Sequence, residues 1–297
     1  MHAALALNCT FLPGDSVSQA RASLGSIGDL DVVNTHMSQA DLVGMRSPQV
    51  RGGAALVPTR HFTAPRGGNL LSRTVFGLLD RRVSAEISIS ECVAEAIGTP
   101  STVVLTGVAD ARVTSAAPRS QSVLMVQRLE SEKATDIALD AWSRADARSR
   151  GWRLRIAGDG SQRPALEEQA RSLGIAGTVD FLGARRDVAA LLDDAALFVA
   201  PTPSEAFGLS AAEAMAHAVP VVASAGGGHL ETVGSVEGAA LFAPGDAAAA
   251  AAQIDALASD PDRRIAYGAA LQDFQREKLT IDRWARETLA VFEGAAR

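Results

Sequence analysis

Lysine is almost missing from this chain: of 28 basic residues, all but Lys133 and Lys278 are arginine. A lysine is therefore an informative residue here, and an arginine by itself is not. Cysteine is confined to Cys9 and Cys92, which form neither a CxxC pair nor a metal-ligand spacing. No zinc site or disulfide framework is expected, and a reduced, cytosolic protein is. No apolar run approaches the roughly 20 residues that span a bilayer, and residues 1–12 lack the basic start of a secretory leader, which predicts a chain that stays inside the cell. Positive charge is short as well. With 34 acidic residues the net charge is −6 and the pI is near 5.4, and the acidic excess lies beyond residue 115, since the stretch before it is balanced. A nucleic-acid binder is not expected.

What the chain does have is apolar residues, at 47% of 297, enough for two α/β domains. Short β-branched runs at residues 31–35, 54–58, 86–90 and 102–105 read as strands. The pattern returns at 122–126, 154–157, 178–181, 197–200 and 220–223, separated by helical patterns at 163–173, 188–194 and 210–218. Such a rhythm predicts parallel sheets covered by helices on both faces. The stretch 110–120 reads as a linker, which sets the expected division: a first domain over 1–113, a linker over 114–120, a second domain over 121–279 and a final helix over 280–297. Ile281, Trp284, Leu289 and Phe292 form the apolar stripe expected to pack that helix.

In a doubly wound sheet ligands sit beyond the carboxyl ends of the strands, so the loops there are the place to look. Gln127-Arg128-Leu129-Glu130-Ser131-Glu132-Lys133 places two cations five residues apart near a helix start. They could hold a diphosphate; the competing reading is two solvated charges. Gly158-Asp159-Gly160 allows a tight turn or close approach of a ligand. Arg163 stands where a third glycine would complete GxGxxG, so a dehydrogenase is poorly supported. The most informative loop is Pro201-Thr202-Pro203-Ser204-Glu205-Ala206-Phe207-Gly208-Leu209, running into a helix. Gly208 lets the amides of Phe207, Gly208 and Leu209 converge on an anion, with Glu205 and Glu213 as acceptors for sugar hydroxyls. Ser210 and Glu213 also fit a capping box. Gly226-Gly227-Gly228-His229 is one more loop where backbone approaches closely.

Taken together these motifs resemble glycosyltransferase family four, which has the GT-B fold. The family's G-R-L-x-x-x-K-G segment, G-x-G turn and E-x7-E before a P-V-V strand occur here in order, followed by Pro244-Gly245-Asp246. Gln127 and Ala134 replace the two glycines of the first segment. The first part is similar too: Asp31-Val32-Val33-Asn34-Thr35-His36, Pro58-Thr59-Arg60-His61, Ile89-Ser90-Glu91 and Thr106-Gly107-Val108-Ala109-Asp110 match family segments. Only about 30 residues precede Asp31, however, with Pro13-Gly14-Asp15 where the family has a strand and a glycine-rich loop.

The resemblance implies two Rossmann-like domains facing across a cleft, the N-terminal one incomplete. It also implies retaining, metal-independent transfer of a sugar from a nucleotide-diphosphate sugar to an acceptor hydroxyl, with no cofactor. Arg128 and Lys133 would bind the diphosphate, Glu213 the ribose, and Glu205 the transferred sugar. The amides of Phe207, Gly208 and Leu209 would hold sugar and phosphates, the backbone at Gly158 and Gly183 would border the base, and His61 would touch the donor sugar. His36 is expected to be a packing or hydrogen-bonding residue. The short first domain is expected to expose a sheet edge, either because the chain is a truncated product of an upstream start or because it is a short form whose edge a second copy or a partner subunit covers.

Three other readings compete. One is a nucleotide-sugar-binding subunit or regulator with little activity of its own, and another is a GT-B-like epimerase. A metal-dependent transferase of the other major fold needs a D-x-D pair after a strand, whereas Asp29-Leu30-Asp31 precedes one, and Asp193-Asp194 reads as a helix end or surface pair. Leu70, Leu71, Val75, Phe76, Leu78 and Leu79 among Arg66, Arg73, Arg81 and Arg82 fit either burial or an interfacial helix that contacts a membrane.

Overall fold

The computed structural model describes residues 10, 12–64, 77, 80–111 and 119–297. Cys9, most of the expected linker and all six apolar residues of the arginine-flanked stretch lie outside them. The chain divides into two compact units, Met1–Val104 with Arg286–Arg297, and Leu105–Ala285.

In the first unit β1 (Val32–His36), β2 (Ala55–Arg60), β3 (Ile87–Ser88) and β4 (Thr102–Val103) form one sheet in that order, every neighbouring pair parallel. Short helices precede and connect the strands, three of them started by a serine cap while Ser38–Met45 follows Met37 without one. Ser16 accepts from the Gln19 amide ahead of the helix Val17–Gly25, and Ser90 from the Val93 amide ahead of Glu91–Ile97. Val33, Met45 and Leu56 are the buried centre, with Leu24, Leu42 and Val50 packed around them. Beside it Asp41, Arg60 and Glu86 are also buried. Arg60 lies 3.5 Å from Asp41 and 3.4 Å from Glu86, and the Thr35 hydroxyl donates to Asp41 at 2.6 Å. Each of these charges thus has a partner inside the fold.

The second unit carries six parallel strands: β5 (Ser120–Val126), β6 (Arg153–Ala157), β7 (Val179–Gly183), β8 (Ala195–Ala200), β9 (Val221–Ser224) and β10 (Ala240–Phe242). Their order is β10-β9-β8-β5-β6-β7. β8 and β9 are buried along their whole length, as expected for strands covered on both faces. The chain runs outward from β5 to β7, then crosses back to β8 on the other side of β5. Strand order reverses between β5 and β8, and the connections leaving their carboxyl ends part there and open a crevice.

Several expectations need adjustment. β5 and β8 each begin two residues early, because Ser120 pairs with Ala195 and the Asp194 carboxylate accepts from Ser120 and Arg155. β10 was not foreseen; three residues are too short a run to stand out. The helix expected at 210–218 is Leu209–Ala216, ending where Ala218 turns to a positive φ of 53°. The final helix is Ile281–Ala295, but Ile281 and Leu289 are 47% and 54% exposed, whereas Trp284, Val291 and Phe292 are half-buried. Among the described residues no helix is long and apolar enough to cross a membrane.

Candidate functional site

The loop after β5 is built against the loop after β6. The Gln127 amide donates to Ala157 O at 3.1 Å, the Leu129 amide to Asp159 O at 3.0 Å, and the Gln162 amide to Leu129 O at 2.9 Å. Glu130 accepts from the Ser161 amide and hydroxyl at 3.1 and 2.6 Å, bonds that hold its carboxyl below the usual range. This zipper explains both glycines of Gly158-Asp159-Gly160. A Cβ at Gly158 would overlap the Gln127 carbonyl oxygen, and one at Gly160 the Leu129 carbonyl. The neighbouring loop by itself requires glycine there. Gly183 adjoins the same turn, its carbonyl accepting from the Gly158 amide at 2.8 Å.

The two residues that replace family glycines have different consequences. Ala134 adopts the left-handed conformation, φ 51° and ψ 41°, which costs a residue with a Cβ about 1–2 kcal/mol. Gln127 turns its amide inward, donating to Lys133 O at 3.1 Å and Thr135 Oγ1 at 2.8 Å. It ties the loop together across the strained residue.

The two cations of this loop part company. Lys133 Nζ lies 2.7 Å from Glu205 Oε2, with side chains 19% and 20% exposed. Arg128 is 66% exposed and pairs with Glu132 at 2.8 Å. Each cation thus has its own carboxylate. The Lys133–Glu205 pair joins the loops after β5 and β8, on the two sides of the strand-order reversal.

The loop after β8 is held from below by the loop after β9. The Gly228 amide donates to Glu205 O at 2.7 Å, and Cβ atoms at Gly226, Gly227 and Gly228 would overlap the backbone of Pro203, Glu205 and Phe207 respectively. Phe207 is buried as the anchor of the turn. Gly208 then adopts φ 91° and ψ 54°, and the helix Leu209–Ala216 starts directly after it with no side-chain cap; its first bond runs from the Ala212 amide to Gly208 O. The expected capping box is therefore not formed. Glu213 is the fifth helical residue and Ser210 the second, so the spacing that suggested a box falls inside the helix. The amides of Leu209, Ser210 and Ala211 face the loop uncapped, a favourable place for an anion. Glu213 is exposed, yet the surrounding protein raises its carboxyl above the ordinary range, opposed by His217. His217 Nδ1 in turn lies 2.7 Å from Asp193, so Asp193-Asp194 holds neighbouring elements in place.

One residue of this site went unassigned in the sequence reading. His229 is 2% exposed, with Nδ1 3.2 Å from Ser224 O. That bond makes Nδ1 the protonated nitrogen and leaves Nε2 bare. A Cβ at Gly208 would lie 2.8 Å from His229 Cδ2 and 3.0 Å from Nε2, so the ring sits directly under the turn. Burial lowers its pKa, against the pull of the nearby Glu205. The signal was one polar ring after three glycines, too little without the fold.

In the first unit, His36 and His61 meet at the carboxyl ends of β1 and β2, with His36 Nδ1 and His61 Nε2 2.7 Å apart. The expectation of a hydrogen-bonding role for His36 is met, with His61 as its partner.

Residues 110–273 match the family described as glycosyl transferases group 1. The glycogen synthase of Mycobacterium tuberculosis is 34% identical over 191 residues, covering 61% of this chain and 46% of that protein. The lipopolysaccharide core biosynthesis mannosyltransferase LpsB of Rhizobium meliloti is 30% identical over 74% of this chain and 68% of its own length. Among solved structures, Anabaena HepE in complex with UDP and glucose superposes with a TM-score of 0.79 at 21% identity, over 93% of this chain and 79% of that one. TarM of S. aureus does so with a TM-score of 0.79 at 14% identity, over 93% and 58%. The chain spans about half the length of the mycobacterial synthase, while the fold it shares with HepE and TarM is that of GT-B glycosyltransferases. By the family match, this chain belongs to the glycosyl transferases group 1.

Proposed function

We propose that this chain transfers a sugar from a nucleotide-diphosphate sugar to an acceptor hydroxyl, with retention of configuration and without a metal. The observation that carries the reading is the grouping of Lys133, Glu205 and the uncapped start of the helix Leu209–Ala216 around the strand-order reversal. Breaking the bond between the anomeric carbon and the diphosphate builds negative charge on the leaving oxygen. A half-buried lysine and fixed amides meet that charge with little rearrangement. The structures solved with UDP and with UDP-glucose in HepE support a nucleotide-sugar donor.

On this reading the ion pair of Lys133 is exchanged on binding: phosphate replaces Glu205, and the released carboxylate orients the sugar hydroxyls and supports positive charge at the anomeric carbon. Arg128 leaves Glu132 to reach the same diphosphate. Glu213 takes the ribose, and Gly158 and Gly183 border the base. The leaving phosphate deprotonates the incoming hydroxyl on the same face of the sugar. His61 contacts the donor sugar.

A hydrolysis and transfer screen over UDP-glucose, UDP-N-acetylglucosamine and GDP-mannose tests this, with the anomeric configuration of any product read by NMR. Turnover that survives chelation, with a retained anomer, is the expected result. Loss of turnover on chelation, restored by magnesium, would overturn the metal-free part, and an inverted product the stereochemical part. Tight binding of a nucleotide sugar with no turnover under any condition would favour a binding subunit instead. For the roles of the two carboxylates, Glu205→Gln should lower turnover by about 100-fold, the scale for losing one charge-stabilising group, yet strengthen binding of UDP alone, since Lys133 loses its competing partner. Glu213→Ala should weaken donor binding with little change in turnover once saturated. Equal effects of the two changes on turnover would contradict the division.

A further inference from the structure

His36 ends β1 and His61 follows β2. The parallel register sets His36 opposite Thr59, which brings both imidazoles to one carboxyl edge of the first sheet. Their nitrogens are 2.7 Å apart, with ring centroids 5.0 Å apart and planes tilted by 36°. Two neutral imidazoles at that distance hold a single hydrogen between them, because two bare lone pairs or two N–H groups would repel. Burial lowers the pKa of both rings; Asp41 opposes this at His36, while His36 and Arg60 reinforce it at His61. Both rings therefore favour the uncharged form more than a free imidazole does. In the neutral pair the outer nitrogens, His36 Nε2 and His61 Nδ1, must take opposite roles: when one carries hydrogen the other is bare.

We propose that His36 is a positioning residue that holds the ring plane of His61 and couples its tautomer to its own, so that His61 meets a substrate hydroxyl in a fixed orientation while the pair always has one outer donor and one outer acceptor. The assignment to a sugar ligand rests on the reading of His61 given above. Hydroxyls both donate and accept, so they fit either outer nitrogen. A carboxylate finds only one donor there, and an ammonium only one acceptor. The surroundings agree with an uncharged hydroxyl ligand. The pocket beside the pair is lined by Ser38, Thr59, Arg60 and Phe62 among others, and the charge of Arg60 is met by Asp41 and Glu86. Met37, directly after His36, holds a positive φ of 77°, a backbone state kept only where the surrounding structure imposes it. His36 thus sits at a fixed bend.

The test compares wild type with His36→Asn, whose amide reaches the place of Nδ1, and His36→Phe, which fills the space without a polar atom. Histidine nitrogen NMR reads the tautomers, and UDP-glucose hydrolysis reads turnover. In wild type the two rings should carry hydrogen on Nδ1 in equal proportion, because one hydrogen is shared between them. His36→Phe should shift the tautomer balance of His61 and lower turnover about tenfold or more, the scale on which a misplaced substrate contact acts. His36→Asn, which can donate or accept at that place, should restore turnover. Unmatched tautomer populations of the two rings in wild type overturn the proposal even if the Phe variant does not fold. Unchanged turnover in a folded Phe variant overturns it too. If wild type hydrolyses no nucleotide sugar, the functional reading fails, while the NMR spectra still decide whether His36 fixes His61.

Discussion

The two sheets differ in one respect that governs where chemistry collects. In the first unit the four strands lie in chain order, whereas in the second the order reverses between β5 and β8. A reversal separates the loops on its two sides and leaves room between them. There a lysine from one loop and a glutamate from the other meet over an uncapped helix start. In sequential order, adjacent strand ends place their loops side by side, and His36 and His61 meet there directly. The same parallel architecture thus yields a lysine–glutamate pair beside an uncapped helix start in one sheet and a hydrogen-bonded histidine pair in the other.

The largest effect should come from removing the cations of the open site. Arg128→Ala with Lys133→Ala should weaken UDP binding in calorimetry by about 3 kcal/mol, at roughly 1.5–3 kcal/mol for a charged hydrogen bond. Lys133 should account for most of it, because Arg128 stands in solvent with Glu132. Equal shares would mean that Arg128 is drawn in on binding as strongly as Lys133.

A pair of glycines separates the sheets by stability. Gly98 and Gly208 both have positive φ, 66° and 91°, but a Cβ at Gly98 meets nothing within 4 Å while one at Gly208 meets the buried His229. Gly98→Ala should cost about 1 kcal/mol from the backbone alone. Gly208→Ala adds overpacking of about 1–3 kcal/mol, read as a lower urea midpoint. Equal midpoints would show that His229 yields freely.

Acid should expose the same contrast. His229 holds its pKa below 6.5 by burial, so the unfolded chain binds a proton that the folded chain refuses. Its contribution to stability is complete above about pH 6.5 and declines as pH falls toward the lowered folded value. His36 and His61 act in the same direction but are less deeply buried. His229→Asn should therefore flatten the loss of stability between about pH 7 and 5 more than His61→Asn does. The reverse ranking would place the main acid sensitivity in the first sheet. The smallest effect belongs to Ala134, at φ 51°. Ala134→Gly should stabilise by up to about 1 kcal/mol, the left-handed penalty less the added chain entropy, measured as a small rise in melting temperature.

Much of this was legible along the chain. All nine expected strands in the two sheets needed shifts of at most two residues at either end, because buried parallel strands are continuous apolar runs that stand out locally. The one expected at 86–90 shrank the most, to Ile87–Ser88. Glu205, Gly208 and Lys133 were legible for a different reason: their spacing relative to strand ends matched a known pattern. Cross-chain pairing was not. Within residues 127–133 the i,i+4 spacing of Arg128 and Glu132 is visible, but the burial of Lys133 is not, since its partner Glu205 lies 72 residues away.

The sequence by itself determined which segments become strands and which loops gather glycine and charge at the strand ends, because periodicity, glycine placement and charge are properties of neighbours along the chain. Only the tertiary structure decided what those residues do to one another. It paired Lys133 with Glu205, set His229 beneath Gly208, denied Glu213 its capping role and joined His36 to His61. The physical reason is one of range. Backbone preference acts over a few residues, whereas ion pairs, buried rings and shared protons depend on atoms brought within about 3 Å by strands far apart in sequence.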